Sequence, residues 1–308
     1  MHLIRSLQPL PIKASVVSVG NFDGVHCGHM MLIRETVRRA RMRRAQSVIV
    51  TFEPHTRVVT SPHQIQPILT TLEEKALLIG SLGVDYLVCL KFDHALMSLS
   101  PAEFIKRILI GRCKAVEWAM GQGHTFGSQR RGSAEFLRRH VDIKHFSLFV
   151  AKTARTGDTI VSSTEIRRRI VAGQVADALR LLGHPYLIIT RRIRGVRKAR
   201  QLGFPTINFE AVREPKVLPM PGVYAARLEF AGRRHCGALY WGDCPTFANR
   251  DFHFEFHLFG PPGKALRAGA KACIGLYHCI RHDRAFKNQD ALARRIADDV
   301  NEIKRYFT

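Results

Sequence analysis

Residues 15–45 constrain the fold of this chain more than any other stretch. Near their start, Val16, Val17 and Val19 make a short β-branched run of the kind that a buried parallel strand shows. After a short loop, apolar residues recur at helical spacing, at Ile33, Val37 and Ala40. A buried strand followed directly by an amphipathic helix is the repeating unit of a parallel α/β sheet, so we expect the chain to start with such a sheet.

The loop between the predicted strand and helix carries two glycines and two histidines. Gly20 and Gly24 allow a sharp turn and a close approach of the backbone to a ligand. His26 and His29 stand where the helix begins, beside its free N–H groups and the positive end of its dipole. Imidazoles placed there can donate hydrogen bonds to phosphate oxygens on which negative charge develops. The loop therefore predicts a site for phosphoryl or nucleotidyl transfer.

Two other interpretations of these histidines stay open. A His-x-x-His pair can hold a metal ion, although no third ligand follows at a fixed spacing. The pair could also be two ordinary surface residues in a turn. The loop is not a Walker A motif, because no Gly-Lys-Ser/Thr sequence closes it, and it contains no GxGxxG sequence. The pattern thus favours a nucleotide site of another kind.

The length and composition fit a globular protein of two domains. A chain of 308 residues with 46% hydrophobic residues can bury two cores. It has neither a signal-peptide-like N-terminus nor a run of about eighteen apolar residues, so we expect a cytoplasmic protein that does not enter a membrane. The seven cysteines form no CxxC pair and are expected to be reduced.

The net charge of +23 is the one feature that favours a nucleic-acid partner. The basic residues are spread over both halves of the chain, and no zinc finger, helix-turn-helix pattern or RNP-like motif accompanies them. We therefore expect a solvated basic surface and no nucleic-acid partner. A nucleic-acid-binding protein on the same fold stays an alternative, and the sequence does not define an oligomeric state.

Strands and helices alternate through the first half of the chain. Ser47 to Phe52 and Asp85 to Leu90 are predicted strands, and a helix lies between them. A further helix precedes a strand at Ala115 to Met120. The N-caps of these two helices are predicted at Thr71 and Ser100. This alternation indicates a doubly wound parallel sheet with flanking helices.

The second half of the chain has a different pattern. Short strand-like segments alternate with turn signals, in the order LIITRRIRG, GVYAARLEF, HCGALYW, FHFEFHLF and KACIGLYHCI. Such a series is typical of a small antiparallel barrel. An amphipathic helix ends the chain, with an apolar face at Leu292, Ile296, Val300, Ile303 and Phe307. The domain boundary is predicted in the linker Gly183 to Pro185, which gives domains 1–184 and 185–308.

A series of motifs in one order resembles a known family. The motifs are GNFDGVHCGH, TFEPH, LTTLEEK and SSTEIR in the first half, then LLGHPY, GFPTIN, LPMPGVYAARL, GDCPTF and FHFEFHLF. Together they resemble the prokaryotic bifunctional riboflavin kinase/FMN adenylyltransferase (FAD synthetase) family over nearly the whole chain. The resemblance implies a Rossmann-like HxGH nucleotidyltransferase domain followed by a riboflavin-kinase-like β-barrel. It also implies phosphorylation of riboflavin to FMN and adenylylation of FMN to FAD, with ATP and Mg²⁺.

The resemblance implies roles for residues of the first domain. The HxGH and SSTxxR signatures imply that adenylyl transfer is carried by His26, His29 and Arg167. The ATP-binding residues it implies are Gly20, Asn21, Phe22, Asp23, Gly24, Gly28, Ser162, Ser163 and Thr164. The flavin-binding residues it implies are Phe52, Pro54, His55, Thr125, Phe126 and Arg130. Transfer of this kind requires positioning and charge stabilisation more than covalent help, which agrees with the residue types present.

The resemblance implies a second site in the barrel. Gly203 and Pro205 would bind ATP, and Thr206 and Asn208 of the PTxN motif would hold Mg²⁺. Glu255 would be the base for the 5′-hydroxyl of riboflavin. An alternative interpretation makes Glu255 an outward residue of a strand, since it alternates with two phenylalanines.

The chain departs from the family pattern in both domains. Gly123 and His124 replace residues of the flavin loop, and Thr56 stands where a second proline is common. Thr190 and Ala199 occupy places where a nucleotide-facing loop usually has glycine, and a stretch like LDFxGDLYG is missing after residue 258. These departures allow a second hypothesis, an FMN adenylyltransferase whose kinase barrel is weakened or inactive.

Overall fold

The computed structural model describes residues 1–5, 8–61, 63, 67–140, 146–194, 203–212, 215–230, 232–242, 253–260 and 266–308. These residues divide into two compact units, Met1–Ser163 and Thr164–Thr308. The first unit contains a parallel sheet with flanking helices and the second a closed antiparallel barrel, which confirms the predicted fold class. Residues 164–184, which the sequence assigned to the first domain, belong to the second unit, and the boundary at 184/185 stays a prediction.

The first unit is built on one sheet of six strands. The strands are β1 (His2–Ile4), β2 (Ser15–Val19), β3 (Gln46–Glu53), β4 (Tyr86–Lys91), β5 (Ala115–Gly121) and β6 (Ser147–Ala151). All neighbours are parallel, in the order β1-β4-β3-β2-β5-β6. From β2 the chain moves outward through β3 and β4, then returns to the other side of β2 with β5. Ligands of open α/β sheets bind at the carboxyl ends of the strands where such a reversal occurs, so the ends of β2 and β5 mark the expected site.

Helices cover both faces of this sheet. They are α1 (Cys27–Met42), α2 (Thr56–Thr60), α3 (Leu72–Gly80), α4 (His94–Met97), α5 (Pro101–Glu103) and α6 (Ala134–His140), and a short hairpin, β7 (Arg155–Thr156) and β8 (Thr159–Ile160), follows the sheet. Every residue of β2 is buried. One core cluster contains Val17 and Trp118, and a second cluster, on the other face, contains Ile33 of α1 and Ile49.

Capping fixes where two of these helices start. Thr71 and Ser100 are the N-caps, as predicted, and each forms a capping box with a glutamate three residues on. The helix that begins at Pro101 differs from the prediction further along, because Phe104–Arg112 is a π-helix. Its buried residues Phe104 and Leu109 are five apart, a spacing that matches the wider π turn better than the α-helical one.

In the described part of the second unit, a closed barrel of six strands is accompanied by three helices. The strands are β9 (Tyr186–Ile193), β10 (Thr206–Phe209), β11 (Gly222–Phe230), β12 (Arg233–Gly242), β13 (His253–Leu258) and β14 (Lys271–His282), and the helices are α7 (Ser163–Val171), α8 (Val175–Leu182) and α9 (Gln289–Phe307). The barrel order is β10-β13-β12-β11-β14-β9, all antiparallel. Five of these strands follow the predicted segments. The sequence missed β10, because four residues after a proline are too few to show alternation.

Alternation along the strands separates the inside of the barrel from its surface. Phe254 and Phe256 of β13 are buried. On the surface of the barrel, α9 lies with its predicted apolar face inward, and its Ile303 packs against Val223 and Ala238. The C-terminal helix is therefore part of the core of the second unit rather than an appendage.

Candidate functional site

The loop that joins β2 to α1 has an unusual backbone. Phe22, Gly24 and Val25 have φ angles of 46°, 81° and 41°. A left-handed conformation is easy for glycine but unfavourable for a β-branched residue such as Val25, and residues held in this way cluster at functional sites. Phe22 and Val25 are fully buried, so packing offsets the strain. The loop is a rigid element of the fold.

Polar side chains of this loop are bonded to the protein. Asp23 Oδ1 accepts hydrogen bonds from the backbone N–H groups of Leu69 (2.8 Å) and Thr70 (3.1 Å). The backbone N–H of Gly24 donates to Thr70 Oγ1 at 2.9 Å. Asn21 Nδ2 donates to Thr56 Oγ1 at 2.9 Å. Asn21 and Asp23 were predicted to bind ATP; their side chains hold the loop together in this structure, and their role in ATP binding stays a prediction.

The two histidines lie together at the start of α1. His26 is the N-cap, and its Nδ1 accepts a hydrogen bond from the backbone N–H of His29 at 3.3 Å. The two rings are stacked, with centroids 3.5 Å apart and planes 16° from parallel. Because Nδ1 of His26 is an acceptor, its neutral ring carries the proton on Nε2 and donates from there. Both imidazoles thus stand beside the N-terminal N–H groups of the helix.

His29 is an uncharged ring in this environment. Burial, together with electrostatic repulsion from His26 and Lys75, keeps the pKa of His29 well below its usual range. Its Nδ1 is buried and has no hydrogen-bond partner. A bare acceptor is tolerated more readily than a buried N–H without a partner, so the proton belongs on Nε2. His29 is then a neutral hydrogen-bond donor.

Gly28 lets these rings pack closely. A Cβ on this residue would lie 3.1 Å from Ala154 Cβ and 3.4 Å from Cε1 of His26. The first distance is shorter than an ordinary contact and the second is at its lower limit, so the glycine of the HxGH pattern lets the segment with Ala154 and the first imidazole pack closely. Close packing therefore explains why residue 28 is a glycine, a residue to which the resemblance assigned ATP binding.

The SSTEIR segment begins beside the same loop. Ser163 Oγ donates to the backbone carbonyl of Asp23 at 2.8 Å, and α7 starts at this serine. Ser162 directly precedes the helix. Thr164 is exposed, and Arg167 is half-buried one turn beyond Ser163. Ser163 is thus bonded to the loop of residues 20–26, which ends at His26 and is called the histidine loop below. The nucleotide-binding roles of Ser162, Thr164 and Arg167 stay predictions.

The predicted flavin residues follow β3 and β5 at the carboxyl ends of the strands. Phe52 is half-buried, with its ring 5.5 Å from that of Phe92. Pro54 follows a cis peptide bond. His55 caps α2, and its Nδ1 accepts from the N–H of Arg57 at 3.3 Å. These residues lie at the end of the sheet that the topology assigns to ligands.

The loop after β5 packs partly into the core. Phe126 is buried against Trp118, with ring centroids 4.6 Å apart, so only a small part of it could touch a flavin. Arg130 Nε donates to Thr125 Oγ1 at 2.9 Å. The sequence analysis singled out Gly20, in the loop after β2, and Gly123, in the present loop. A Cβ on Gly123 would meet nothing within 4 Å. The family's polar residue at this position would therefore project into open space.

His124, in the loop after β5, is a half-buried histidine of the first unit. Its ring lies edge-on to Trp118 with centroids 6.0 Å apart, and its Nε2 is buried without a hydrogen-bond partner. Burial, aided by the charge of Arg130, lowers the pKa of His124 to about 4. The residue that replaces an aromatic of the family thus behaves as a neutral aromatic ring at pH 7.

The barrel brings its three predicted polar residues together on one face. Asn208 of β10 is directly opposite Glu255 of β13, and Thr206 Oγ1 donates to Glu255 Oε2 at 2.8 Å. Glu255 is an outward strand residue, as the alternative interpretation held, since Phe254 and Phe256 face inward. The outer face is where Thr206 and Asn208 also lie, so both interpretations of Glu255 are compatible.

Other predictions for the barrel have mixed outcomes. The expectation that Thr190 lies in a nucleotide-facing loop is wrong: it is a buried residue of β9 whose Oγ1 donates to the carbonyl of Glu210 at 2.8 Å. Gly203 has φ 85° with open space around it, and Pro205 directly precedes β10. Ala199 and the residues 261–263 lie outside the described part of the chain.

Sequence analysis assigned no role to Lys75, although it belongs to the LTTLEEK motif. The residue is only 6% exposed and lies on the inner side of α3 with Leu72 and Ile79. The signal was present, because position 75 shares a helical face with these two apolar residues. A lysine on a core-facing stripe is an exception that invites a functional explanation.

Two searches of the described residues bear on the alternative hypotheses. Within the described ranges, no group of three or more His, Cys, Asp or Glu side chains could hold a metal ion, so the metal interpretation of the histidine pair gains no third ligand. None of the helices placed by the structure is long and apolar enough to cross a membrane.

Comparisons with known proteins match both units. The family model described as FAD synthetase matches residues 10–165, and the model described as riboflavin kinase matches residues 182–307. A bifunctional riboflavin kinase/FMN adenylyltransferase of Pseudomonas fluorescens is 33% identical over 303 residues, covering 97% of this chain and 96% of the relative. One of Bacillus subtilis is 32% identical over 311 residues, covering 100% and 96%. A crystal structure described as a macrolide-efflux protein from Streptococcus pneumoniae has a TM-score of 0.84 and 25% identity, over 99% of this chain and 98% of that one.

Proposed function

Because the chain belongs to the family of bifunctional riboflavin kinases/FMN adenylyltransferases, we propose that its parallel-sheet unit and its barrel unit each carry one of two reactions. The barrel phosphorylates riboflavin to FMN with ATP. The parallel-sheet unit adenylylates FMN to FAD and releases pyrophosphate. The alternative of an adenylyltransferase with an inactive barrel loses one of its arguments, since Thr190 is a core residue of β9.

The observation that carries the assignment of adenylyl transfer is the stacked histidine pair at the start of α1. The FMN phosphate attacks the α-phosphorus of ATP, and the bond to pyrophosphate breaks. Negative charge on the transferring group and on the leaving pyrophosphate requires hydrogen-bond donors that are already in place. His26 and His29 supply such donors from Nε2, and the helix N-terminus adds backbone N–H groups.

Residues of the SSTEIR segment complete the proposed site. Ser163 is bonded to the histidine loop, and Ser162 and Thr164 flank it with further hydroxyl groups. Arg167 would pair with phosphate oxygens, for which a guanidinium is well suited. The flavin would lie at the carboxyl ends of β3 and β5, near Phe52, Pro54, His55 and the loop with Thr125, Phe126 and Arg130.

In the barrel we propose that Glu255 removes the proton from the 5′-hydroxyl of riboflavin. Thr206 and Asn208 would hold Mg²⁺ together with ATP, which Gly203 and Pro205 would help to bind. A hydroxyl, an amide oxygen and a carboxylate on one face are hard donors, and Mg²⁺ normally takes one or two such protein ligands besides substrate phosphates. When bound, Mg²⁺ would neutralise phosphate charge during transfer.

We also propose a cytoplasmic location, with no nucleic-acid partner and no membrane contact. Support comes from the basic runs of the sequence, whose arginines are partly neutralised by neighbours. Arg38 forms an ion pair with Glu35 at 2.7 Å, and Arg168 forms one with Glu165 at 2.7 Å. Arginines paired on a helix surface are typical of a solvated face.

A pair of substitutions tests the division of labour. His29→Asn should lower FAD formation from FMN about 10²- to 10³-fold, as expected for loss of one charge-stabilising donor. FMN formation from riboflavin should not change. Glu255→Gln should lower FMN formation about 10²- to 10⁴-fold, because the base is lost, and should leave FAD formation intact. The measurement is chromatography of both flavins after incubation of the purified chain with Mg-ATP. A fall of both reactions in either variant would contradict the proposal.

A further inference from the structure

Lys75 is a buried cation beneath the histidine loop. It lies one turn inside α3, where the capping box of Thr71 and Glu74 fixes the start of the helix. Its side chain is 6% exposed, and Nζ donates to Thr51 Oγ1 of β3 at 3.2 Å. Burying an ammonium group costs several kcal/mol, and an apolar residue of similar length could fill the same space. A role beyond packing would explain why a lysine is present.

A chain of hydrogen bonds links Lys75 to the loop. Thr51 Oγ1 accepts from Lys75 and donates its own proton to the backbone carbonyl of Asn21 at 3.2 Å. A hydroxyl can do both at once, since it has one proton and two lone pairs. Asn21 follows Gly20 and precedes the strained residues of the loop. The lysine therefore supports the loop backbone from the sheet side.

The charge of Lys75 also acts on groups around it. Burial lowers the pKa of Lys75, while the carboxylates of Asp23 and Glu53 oppose that effect. Towards the site, the ammonium group repels a proton on His29, as His26 does from the N-cap of α1. The titratable groups that lower the pKa of His29 thus include His26, at the N-cap of its own helix, and Lys75 of α3.

We propose that Lys75 is a positioning residue for adenylyl transfer, which holds the histidine loop through Thr51 and sets the charge environment of His29 from beneath. The proposal rests on the proposed role of His29. A neutral His29 leaves the site free of a fixed imidazolium before ATP arrives. When ATP binds, the buried cation Lys75 and the hydrogen-bond donors of His26 and His29 are already in position. Little rearrangement is then needed during transfer.

Two variants separate the effects of the charge and of the hydrogen bond. Lys75→Met removes the charge and keeps the length of the side chain. It should raise the pKa of His29 by about 1 unit, because a like charge in a partly screened interior is lost. Thr51→Val breaks the hydrogen-bond chain, keeps the charge, and should leave the pKa of His29 in place. Each variant should lower kcat for FAD formation about tenfold, with a smaller change in KM.

The readouts do not depend on activity alone. The pKa of His29 is followed by NMR of ¹⁵N-histidine-labelled protein, with the signal assigned from its loss in His29→Asn. FMN formation by the barrel is the internal activity reference. Lys91→Met is the matched control, since Lys91 is a lysine of β4 whose side chain is 82% exposed. This control should change none of the three measurements.

The outcomes separate this inference from the function on which it rests. If His29→Asn keeps full FAD formation, the role of His29 fails, whatever Lys75→Met does. If His29→Asn is inactive but Lys75→Met leaves both the His29 pKa and kcat unchanged, the inference about Lys75 is wrong. A purely structural lysine predicts a loss of stability without a pKa change. If Lys75→Met does not fold, Thr51→Val decides, because unchanged kcat in that variant would overturn the proposed support of the loop.

Discussion

The two units place their proposed phosphate-binding residues in different ways. In the first unit, the site is a loop whose geometry depends on partners distant in the sequence, such as Asp23 with Leu69 and Thr70. In the barrel, Asn208 and Glu255 are brought together by strand pairing alone. The first arrangement stores backbone strain at Phe22 and Val25, and the second follows from a regular ladder. The site of the first unit can therefore be disturbed by substitutions of the residues that hold its loop. The site of the barrel is disturbed mainly by changes in the register of its paired strands.

The largest expected difference between the units is their response to acid. His124 of the first unit has a pKa of about 4, against an ordinary value of 6.5. At pH 5 the unfolded chain binds a proton at this residue and the folded chain does not, so stability falls as the pH falls below 6.5. The expected loss between pH 7 and pH 5 is about 2 kcal/mol in the free energy of unfolding. His29 acts in the same direction.

The variant His124→Phe isolates this contribution. It should reduce the loss of stability at pH 5 by about 2 kcal/mol and leave stability at pH 7 little changed. Urea unfolding followed by Trp118 fluorescence, in a Trp241→Phe background, reports on the first unit. Equal pH dependence of the two proteins would mean that His124 is protonated in the folded state, and the contrast between the units would lose its main electrostatic basis.

The next effect concerns the close packing of the histidines. Gly28→Ala places a Cβ 3.4 Å from the His26 ring and 3.1 Å from Ala154. We expect about a tenfold fall in kcat/KM for FAD formation, because a small displacement of the imidazole misplaces its donor. Stability should change little, since alanine favours a helix. Gly80→Ala in α3 is the control, as its Cβ meets only Met1 at 3.5 Å. Equal activity of the two variants would argue against tight packing as the reason for glycine.

The smallest effect tests the barrel. Thr190→Val removes the hydrogen bond from Oγ1 to the carbonyl of Glu210 and keeps the shape of the side chain. The expected cost is about 1 kcal/mol in the stability of the barrel, with FMN formation unchanged in rate. Urea unfolding followed by Trp241 fluorescence measures the first, and a riboflavin kinase assay the second. A faster kinase reaction in this variant would instead place Thr190 near the nucleotide.

Local signals in the sequence were sufficient for most of the fold. Thr71 and Ser100 were recognisable as N-caps, and the valines of β2 as a buried strand, because each depends on neighbours a few residues away. The predicted apolar stripe of α9 is inward for the same reason. Strand β10 has four residues and gives too short a pattern.

The parts of the site that escaped prediction depend on contacts between distant segments. The bonds of Asp23 to residues 69 and 70 cannot be read from either stretch alone. The positive φ of Val25 contradicts its local preference and is imposed by packing. Thr190 was interpreted through an expected glycine loop, but pairing of β9 with Ala272 of β14 places it in a strand.

The closed barrel has a consequence for the tendency of the chain to aggregate during its synthesis. A barrel has no outermost strand, so its backbone groups offer no template for another molecule. The sheet of the first unit ends at β1 and β6 and is synthesised first. Its two edge strands, β1 and β6, have three and five residues, so the β1 edge in particular limits pairing with other chains. The unit that is synthesised first therefore has a short edge strand at β1, and the barrel that follows it has no edge strand.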